Sequence, residues 1–447
     1  MGEVTLAQIL YSREDRVRRQ KQLLDKYSCP IISFTMNIAG PVKNTPLIER
    51  GFTAGLQQLE AHIPEAAILH KITLRENTGC LALYVLSMDA AQIKKICVEV
   101  EEASALGRLF DLDVLTPDGQ KLSRSDLRGC LVCGAPGRAC AAGRVHPVSQ
   151  LQSVTGQILS DFFLRADSEF IADAAVQSLI EEVKTTPKPG LVDRRNHGSH
   201  PDMCLDLFIT SAYALRGYFH TCFLIGQASA GDPPEAAFAQ LRHRGILAEE
   251  DMYRTTGGIN THKGAIYSLG LLCGCLGRLW TPEKSPITQN ALMHECSTLA
   301  APAADADFLC AKGLTAGERM YLQSGIKGSR GEASAGFPSI QMIGIPAFQQ
   351  ATAAGKTREE AGAYTLLHLI TAVQDTNLLH RGGLTGASWA AETVRTILNA
   401  DPFPSTKQIE QLDDAFIQRN LSPGGCADLL ALVYFLIRLH DSGFIIE

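Results

Sequence analysis

The pattern of apolar residues changes near residue 150, and no other feature of the sequence constrains the fold more strongly. Before Val148, short runs rich in β-branched and aromatic residues alternate with stretches of helical spacing. After it, long Ala- and Leu-rich stretches are separated by turns that contain Gly or Pro. The sequence therefore predicts a multidomain chain, with an α+β domain at residues 1–160 and an all-α domain at residues 161–447.

The individual elements are predicted from the same two patterns. In the first domain, strands are expected within Cys29–Gly40, at Cys80–Leu86 and at Leu109–Leu115, and helices at Glu14–Lys26, Thr45–His62 and Ala90–Ala105. In the second domain, helices are expected at Ser168–Lys184, Cys204–Gly226, Pro234–Leu247, Lys263–Leu279, Ala291–Ala311, Glu359–Gln374, Ser388–Leu398 and Cys426–Leu439.

The composition argues against several functional classes. The 447 residues are 45% apolar and 20% charged, and the formal net charge of −6 does not point to nucleic acid. The apolar run Leu429–Ile437 is too short to span a bilayer, and the N-terminus lacks an apolar run followed by a cleavage site. We expect a cytoplasmic protein without membrane or nucleic-acid partners, whose 13 cysteines are mostly reduced thiols.

Two acids in the segment GRLFDLDVL form the sharpest candidate site in the first domain. Asp111 and Asp113 are two residues apart on a predicted strand, so their carboxylates point to the same face. They repel each other unless a cation lies between them, and Mg²⁺ prefers one or two carboxylates together with phosphate oxygens. Gly107 and Arg108 would allow a phosphate to approach closely and would supply a planar cation. The alternative is a pair of solvent-facing acids on an edge strand.

Two further candidates lie in the same domain. Gly40 begins a turn in which Lys43 can contact a phosphate, although ordinary turns also carry surface lysines. Four soft ligands spaced C-x2-C-x6-C-x5-H suit tetrahedral Zn²⁺: Cys130, Cys133, Cys140 and His146. Their spacing matches no standard zinc finger, so unligated thiols are the alternative.

Four longer segments of the first domain carry a family resemblance: ILYSREDRVRRQ, SFTMNIAGPVKN, ALGRLFDLDVLTPDG and CLVCGAPGRACAAGRVH. Over roughly residues 5–150 the chain resembles the apo-citrate lyase phosphoribosyl-dephospho-CoA transferase family. The resemblance implies transfer of a nucleotide-like group to a serine of the apo acyl carrier subunit of citrate lyase, with release of pyrophosphate. It suits Asp111 and Asp113 as Mg²⁺ ligands and suggests a nucleotidyltransferase-like sheet.

Polar residues in the second domain are concentrated at predicted helix ends. They form five segments, TPKPGLVDRRNHGSHPDM, GINTHKGA, SGIKGSRGEASAGFP, QDTNLLHRGG and SPGGCADLL. Basic side chains near helix N-termini favour a polyphosphate, and acids favour a metal ion. One such segment alone would indicate a capped helix end with solvated charges, but five in one helical domain favour a binding site.

These segments resemble the triphosphoribosyl-dephospho-CoA synthase family from about Asp167 to the C-terminus. The resemblance implies that the ribose 2′-hydroxyl of 3′-dephospho-CoA attacks C1′ of the ATP ribose, that adenine leaves, and that the triphosphate stays on the product. A triphosphate requires Mg²⁺ and cationic clamps. The predicted catalytic or metal-binding residues are Asp193, Asp202, Asp375, Asp428 and His262. The predicted substrate and phosphate contacts are Lys188, Arg194, Asn260, Lys263, Lys327, Arg330 and Glu332.

Taken together, the two resemblances imply that one chain makes the prosthetic group of citrate lyase and attaches it, with ATP and 3′-dephospho-CoA as substrates. Fusion would raise the local concentration of the intermediate. The alternatives are the equivalent maturation of malonate decarboxylase, an all-α hydrolase of ADP-ribose-type N-glycosidic bonds, and an assembly factor that only binds the carrier subunit. A homodimer is compatible with the sequence.

Overall fold

The computed structural model describes residues 2–124, 128–283, 286–310 and 316–447. The chain divides into two compact units, Met1–Ala166 with Thr281–Lys284, and Asp167–Trp280 with Ser285–Glu447. Helix α5 comprises Val148–Lys184. Across the described ranges, no helix combines the length and the apolarity that a membrane crossing requires.

The first unit contains a four-stranded antiparallel sheet. Its strands are β1 (Ile31–Met36), β2 (Ile68–Glu76), β3 (Gly79–Leu86) and β4 (Phe110–Leu115), in the spatial order β2-β3-β1-β4. Its helices are α1 (Leu6–Tyr27), α2 (Pro46–Glu60), α3 (Ala90–Glu102) and α4 (Gly137–Ala142). The predictions of β1, β3 and β4 are confirmed, but β2 was not predicted. Charged residues such as Lys71 and Arg75 obscure its alternating pattern, as is common on edge strands.

The register of this sheet determines where the acids of GRLFDLDVL lie. Ser33 and Thr35 of β1 pair with Asp113 and Asp111 of β4, so both acids are on one face of the sheet. On the same face, Leu23 of α1 belongs to a buried apolar cluster with residues of β1 and β3. The acids therefore lie on the α1 side of an edge strand.

The second unit is helical. Its helices after α5 are α6 (Leu205–Ala214), α7 (Arg216–Ala228), α8 (Pro234–Thr255), α9 (Lys263–Leu279), α10 (Gln289–Leu309), α11 (Ala316–Ser324), α12 (Gly328–Ser334), α13 (Ile345–Ala353), α14 (Arg358–Ala372), α15 (Thr376–Ala400), α16 (Thr406–Gln418) and α17 (Gly424–Asp441). The predicted helix Cys204–Gly226 is divided at Leu215, and Ser388–Leu398 is only the second part of α15, which is interrupted at Gly383.

A small strand pair corrects the all-α prediction for this unit. Strands β5 (Ile287–Thr288) and β6 (Ile445–Ile446) are parallel and two residues long. Ile287 and Ile445 are buried, so their backbone groups need hydrogen-bond partners that water cannot supply. The pairing of β5 with β6 in this two-stranded sheet satisfies the requirement.

Helix α9 forms the centre of the second unit. All of its residues from Leu269 to Gly277 are buried, and α7, α8, α10 and α17 pack around it. A helix that is apolar on every side is typical of a protein core. Its N-terminal end, at Lys263, borders a large cavity of the same unit.

Candidate active sites

The second unit contains a cavity of about 1380 Å³. This volume exceeds the roughly 300–1,000 Å³ of typical ligand pockets. The sequence-predicted residues that line it are Lys188, Asp202, Asn260, His262, Lys263, Lys327, Arg330, Glu332, Asp375 and Asp428. All five polar segments of the sequence thus contribute side chains to one cavity.

Asp375 is held rigidly in the cavity wall by backbone N–H groups. Its Oδ1 accepts hydrogen bonds from the N–H groups of Asn377, at 2.7 Å, and Leu378, at 3.0 Å, and so caps α15. Its Oδ2 accepts a third from the N–H of Cys426 at 2.8 Å, near the start of α17. The carboxylate therefore connects two helix N-termini and has a fixed orientation.

Asp428 lies near the start of α17 and borders the first turn of α9. Its carboxylate accepts the N–H of Ala265, and a Cβ atom on Gly264 would lie only 2.0 Å from its Oδ2. Burial, followed by the charges of Glu182 and Asp375, raises the pKa of Asp428 well above its ordinary value. A carboxyl group in such surroundings favours a proton or a bound cation.

A buried ion pair completes the acidic side of the cavity. The Nζ atom of Lys188 contacts the carboxylate of Glu182 and donates to the Glu182 carbonyl oxygen at 2.8 Å. Lys188 is 1% exposed and Glu182 is 6% exposed. Glu182 is not among the residues predicted from the sequence. An available signal was its position in the last turn of α5, where the helix dipole disfavours a negative charge.

His262 presents a neutral imidazole in the same wall. Its Nδ1 lies 2.8 Å from the Oγ of Ser211, whereas its Nε2 is buried and has no hydrogen-bond partner among the described residues. Burial, with a smaller contribution from the charge of Lys188, lowers the pKa of His262 to about 3. The ring is therefore uncharged near neutral pH, with one nitrogen left for a ligand.

The cationic side chains at the cavity mouth form ion pairs that a ligand can replace. Lys263 pairs with Glu249 at 2.7 Å, and its backbone N–H donates to the Oδ1 of Asn260 at 3.2 Å. Arg330 pairs with Asp307 at 3.2 Å. Partly exposed pairs of this kind contribute only about 0–1 kcal/mol each. A polyphosphate can therefore compete for both cations.

Two predicted residues of the second unit are not among those that line the cavity. Asp193 accepts the backbone N–H groups of Arg195, at 2.7 Å, and Asn196, at 3.1 Å, and so shapes its own loop. Arg194 contacts the carboxylate of Glu359. Both side chains therefore interact with protein groups that hold the segment after Lys188 in place.

In the first unit, Asp111 and Asp113, here called the acid pair, lie beside basic residues. The Oγ1 of Thr35 donates to Asp111 at 3.4 Å, and Lys121 donates to Asp113 at 2.6 Å. Desolvation and then the charge of Asp113 raise the pKa of Asp111, while Lys121 and Arg16 oppose this rise. Arg16, on α1, is a neighbour of the acid pair that was not predicted from the sequence.

Other predicted phosphate contacts of the first unit already have protein partners. Gly107 is buried, and a Cβ atom there would lie 2.6 Å from two carbonyl oxygens of α3, so this position requires glycine for packing. Arg108 donates to the carbonyl oxygen of Gly129 at 2.7 Å. Lys43 donates to the carbonyl oxygen of Ile38, and burial lowers its pKa.

The four predicted zinc ligands converge in space. One ligand atom from each of Cys130, Cys133, Cys140 and His146 lies within 4.8 Å of all the others. The Sγ atoms of Cys133 and Cys140 are 3.4 Å apart and are not joined by a disulfide. The nearby side chain of His146 is the main cause that lowers the pKa of Cys133 to about 6. This arrangement can hold a metal ion.

Comparison with known proteins identifies both parts of the chain. A family model described as ATP:dephospho-CoA triphosphoribosyl transferase matches residues 168–444. A second, described as apo-citrate lyase phosphoribosyl-dephospho-CoA transferase, matches residues 4–162.

Curated relatives extend over the full length. Protein CitXG of Haemophilus influenzae is 34% identical, over 99% of this chain and 97% of its own length. Protein CitXG of Leuconostoc mesenteroides subsp. cremoris is 32% identical, over 98% of each chain. The 2-(5''-triphosphoribosyl)-3'-dephosphocoenzyme-A synthase of Pectobacterium atrosepticum is 40% identical, over 64% of this chain and 94% of its own length. The chain therefore belongs to the CitXG family of bifunctional transferases, which join an apo-citrate lyase phosphoribosyl-dephospho-CoA transferase to an ATP:dephospho-CoA triphosphoribosyl transferase.

Proposed function

We propose that this chain makes the prosthetic group of citrate lyase and attaches it in two steps. ATP and 3′-dephospho-CoA give 2′-(5″-triphosphoribosyl)-3′-dephospho-CoA and adenine at residues 161–447. Residues 1–160 then transfer phosphoribosyl-dephospho-CoA to a serine of the apo acyl carrier subunit and release pyrophosphate. The full-length similarity to CitXG proteins is the observation that carries this proposal. The thirteen free cysteines suit a cytoplasmic location.

The charges of the cavity suit the first step. Displacement of adenine builds positive charge at C1′ of the ribose, which nearby carboxylates stabilise. Asp375, held by three backbone N–H groups, is the fixed anion of the site. Asp428, whose pKa is raised, is the better acceptor for the proton of the attacking 2′-hydroxyl. The neutral His262 can donate from Nε2 to the departing adenine if its Nδ1 accepts from Ser211.

A magnesium ion carried by ATP fits the same wall. Asp375 would provide a carboxylate oxygen, and the negative charges of Glu182 and Asp375, which help to raise the pKa of Asp428, favour a cation in this wall. When bound, Mg²⁺ supplies neutralisation of the triphosphate charge. Lys263, Lys327 and Arg330 would hold the remaining phosphate oxygens.

For the second step, we propose that the acid pair binds Mg²⁺ and that Arg16 contacts the diphosphate that leaves. The two carboxylates lie on one face of an edge strand, open to a large substrate and to the carrier subunit. Nucleotidyl transfer requires stabilisation of the attacking and leaving oxygens, which paired acids achieve through a cation. In this proposal the antiparallel sheet is nucleotidyltransferase-like.

Intact-mass analysis of the apo acyl carrier subunit tests both steps. The subunit is incubated with the full chain, ATP, 3′-dephospho-CoA and Mg²⁺, and free adenine is measured in parallel. We expect adenine release together with a mass gain equal to phosphoribosyl-dephospho-CoA. Adenine release without dephospho-CoA would instead indicate an N-glycoside hydrolase. Modification of a malonate decarboxylase carrier but not of the citrate lyase carrier would overturn the proposed acceptor.

A further inference from the structure

The cysteine cluster at residues 130–146 has no part in the two proposed reactions. We propose that Cys130, Cys133, Cys140 and His146 bind one structural Zn²⁺ ion. The ligand atoms of these four residues all lie within 4.8 Å of one another. Among the described residues, no other set of three or more His, Cys, Asp or Glu side chains converges in this way. Three thiolates and one imidazole form a closed tetrahedral set, which is typical of structural rather than catalytic zinc.

The imidazole of His146 has the orientation of a zinc ligand. Its Nδ1 lies 3.1 Å from Oε1 of Gln150, and its Nε2 is buried without a hydrogen-bond partner among the described residues. Zinc-bound histidines usually donate their second ring N–H to such an acceptor, which leaves the lone pair of the other nitrogen for the metal. Gln150 therefore acts as the group that orients the ligand.

The backbone around the first two cysteines is already folded for metal binding. The N–H of Val132 points to the Sγ of Cys130 at 3.4 Å, and the N–H of Gly134 donates to the Cys130 carbonyl oxygen at 3.0 Å. Gly134 has a φ of 72°, which glycine adopts readily. A turn that is formed in advance reduces the conformational entropy lost on binding.

The two residues before Cys130 contact the start of the strand that carries the acid pair. β4 is an edge strand, and its outward backbone groups need partners from outside the sheet. Arg128 donates to the carbonyl oxygen of Phe110 at 2.6 Å, and the carbonyl oxygen of Gly129 accepts from Arg108 at 2.7 Å. Both contacts lie directly before Cys130, so a metal that fixes Cys130 also fixes these contacts at the start of β4.

The metal content of the full chain, purified without chelators, tests the proposal. We expect about one zinc per chain in the wild type and less than about a tenth of that in Cys133→Ser. The control Cys204→Ser removes an exposed cysteine elsewhere in the chain and should retain full zinc. Cobalt-substituted wild type should show the visible bands of tetrahedral Co²⁺ and thiolate charge transfer.

A mercurial titration of wild-type protein needs no variant, so it remains decisive if Cys133→Ser fails to fold. We expect the titration to release the zinc and to accelerate hydrogen exchange in β4, but not in β2. Metal-free wild type would overturn the proposal, whether its cysteines were all free or two of them had formed a disulfide. So would equal zinc in Cys133→Ser and wild type. Neither enzymatic reaction enters these readouts, so this proposal and the proposed function can fail separately.

Discussion

Each buried carboxyl group in the cavity lowers the stability of the folded state when it is ionised. Burial is the largest cause that raises the pKa values of Glu182, Asp375 and Asp428. A carboxyl whose pKa is higher in the folded than in the unfolded state lowers stability as the pH rises above the unfolded value of about 4. Residues that oppose stability in this way are typical of sites retained for function.

The variant Asp428→Asn should separate stability from activity. The amide oxygen can still accept the Ala265 N–H, but the unfavourable charge is gone. At pH 7 we expect the free energy of unfolding of the second unit to rise by roughly 1 kcal/mol, the scale of single-site effects, while adenine release is abolished. The gain should shrink as the pH falls below the raised pKa of the wild-type carboxyl and should vanish below the unfolded value of about 4, where the carboxyl is neutral in both the folded and the unfolded state.

Urea unfolding followed by tryptophan fluorescence measures this effect on the second unit alone, because Trp280 and Trp389 both belong to it. A variant that is less stable than wild type at pH 7 would show that the Asp428 charge is not destabilising.

Gly264 offers a second test at the level of one residue. An added Cβ would lie 2.0 Å from Asp428 Oδ2, so Gly264→Ala must displace the carboxylate. We expect kcat for adenine release to fall about 100-fold, the scale of a 1 Å misplacement of a catalytic group. The matched control is Gly217→Ala, a helical position with nothing within 4 Å of the added Cβ, which should leave kcat unchanged. Similar kcat values for both variants would remove Asp428 from the reaction.

At the level of elements, helix α1 brings basic residues to the acid pair. A capping box starts this helix, because Thr5 accepts the Gln8 N–H at 3.3 Å and the Gln8 side chain accepts the Thr5 N–H at 2.8 Å. Leu23 packs this helix on the sheet, on the face that also carries the acids. The charge of Arg16 consequently acts on Asp111, whereas Arg18 pairs with Asp15 within the helix.

Substitutions at Arg16 and Arg18 should therefore have different effects on the KM for the triphosphoribosyl intermediate. Arg16→Gln should raise the KM for the triphosphoribosyl intermediate about tenfold, because a charge-assisted contact contributes about 1.5–3 kcal/mol. Arg18→Gln should change KM less than about twofold, since Arg18 is 61% exposed and its ion pair is a surface one. Carrier modification with purified intermediate measures both variants. Equal KM values would show that α1 supplies no specific phosphate contact.

At the scale of the whole molecule, the acid pair and the cavity carboxylates belong to different compact units. Each unit has its own buried core, so a substitution in one site need not disturb the other. The proposed intermediate is a small molecule that can diffuse between chains. The two activities should therefore be separable by mutation and recoverable by mixing.

We expect Asp111→Asn to retain adenine release and lose carrier modification, and Asp428→Asn to lose adenine release but use supplied intermediate. A mixture of the two variants should then modify the carrier, as read by intact mass. If supplied intermediate is used but the mixture stays inactive, the intermediate must pass directly between the two sites of one chain.

The sequence by itself determined the local features of this protein. Helical spacing, the strands of the acid pair and its neighbours, and the five polar segments all depend on residues close together in the chain. The resemblance to both transferase families rests on the same short segments and is confirmed by the comparisons. Ten of the twelve site residues predicted in the second domain line one cavity.

Tertiary structure alone decided which side chains act together. Glu182 lies in an ordinary helical run, yet helix packing brings its charge near that of Asp428. Asp193 and Arg194 occur in a predicted site segment, but loop hydrogen bonds and a surface ion pair occupy them. The contact between Gly264 and Asp428 joins helices that are distant in the chain, and only close packing of a core determines such contacts.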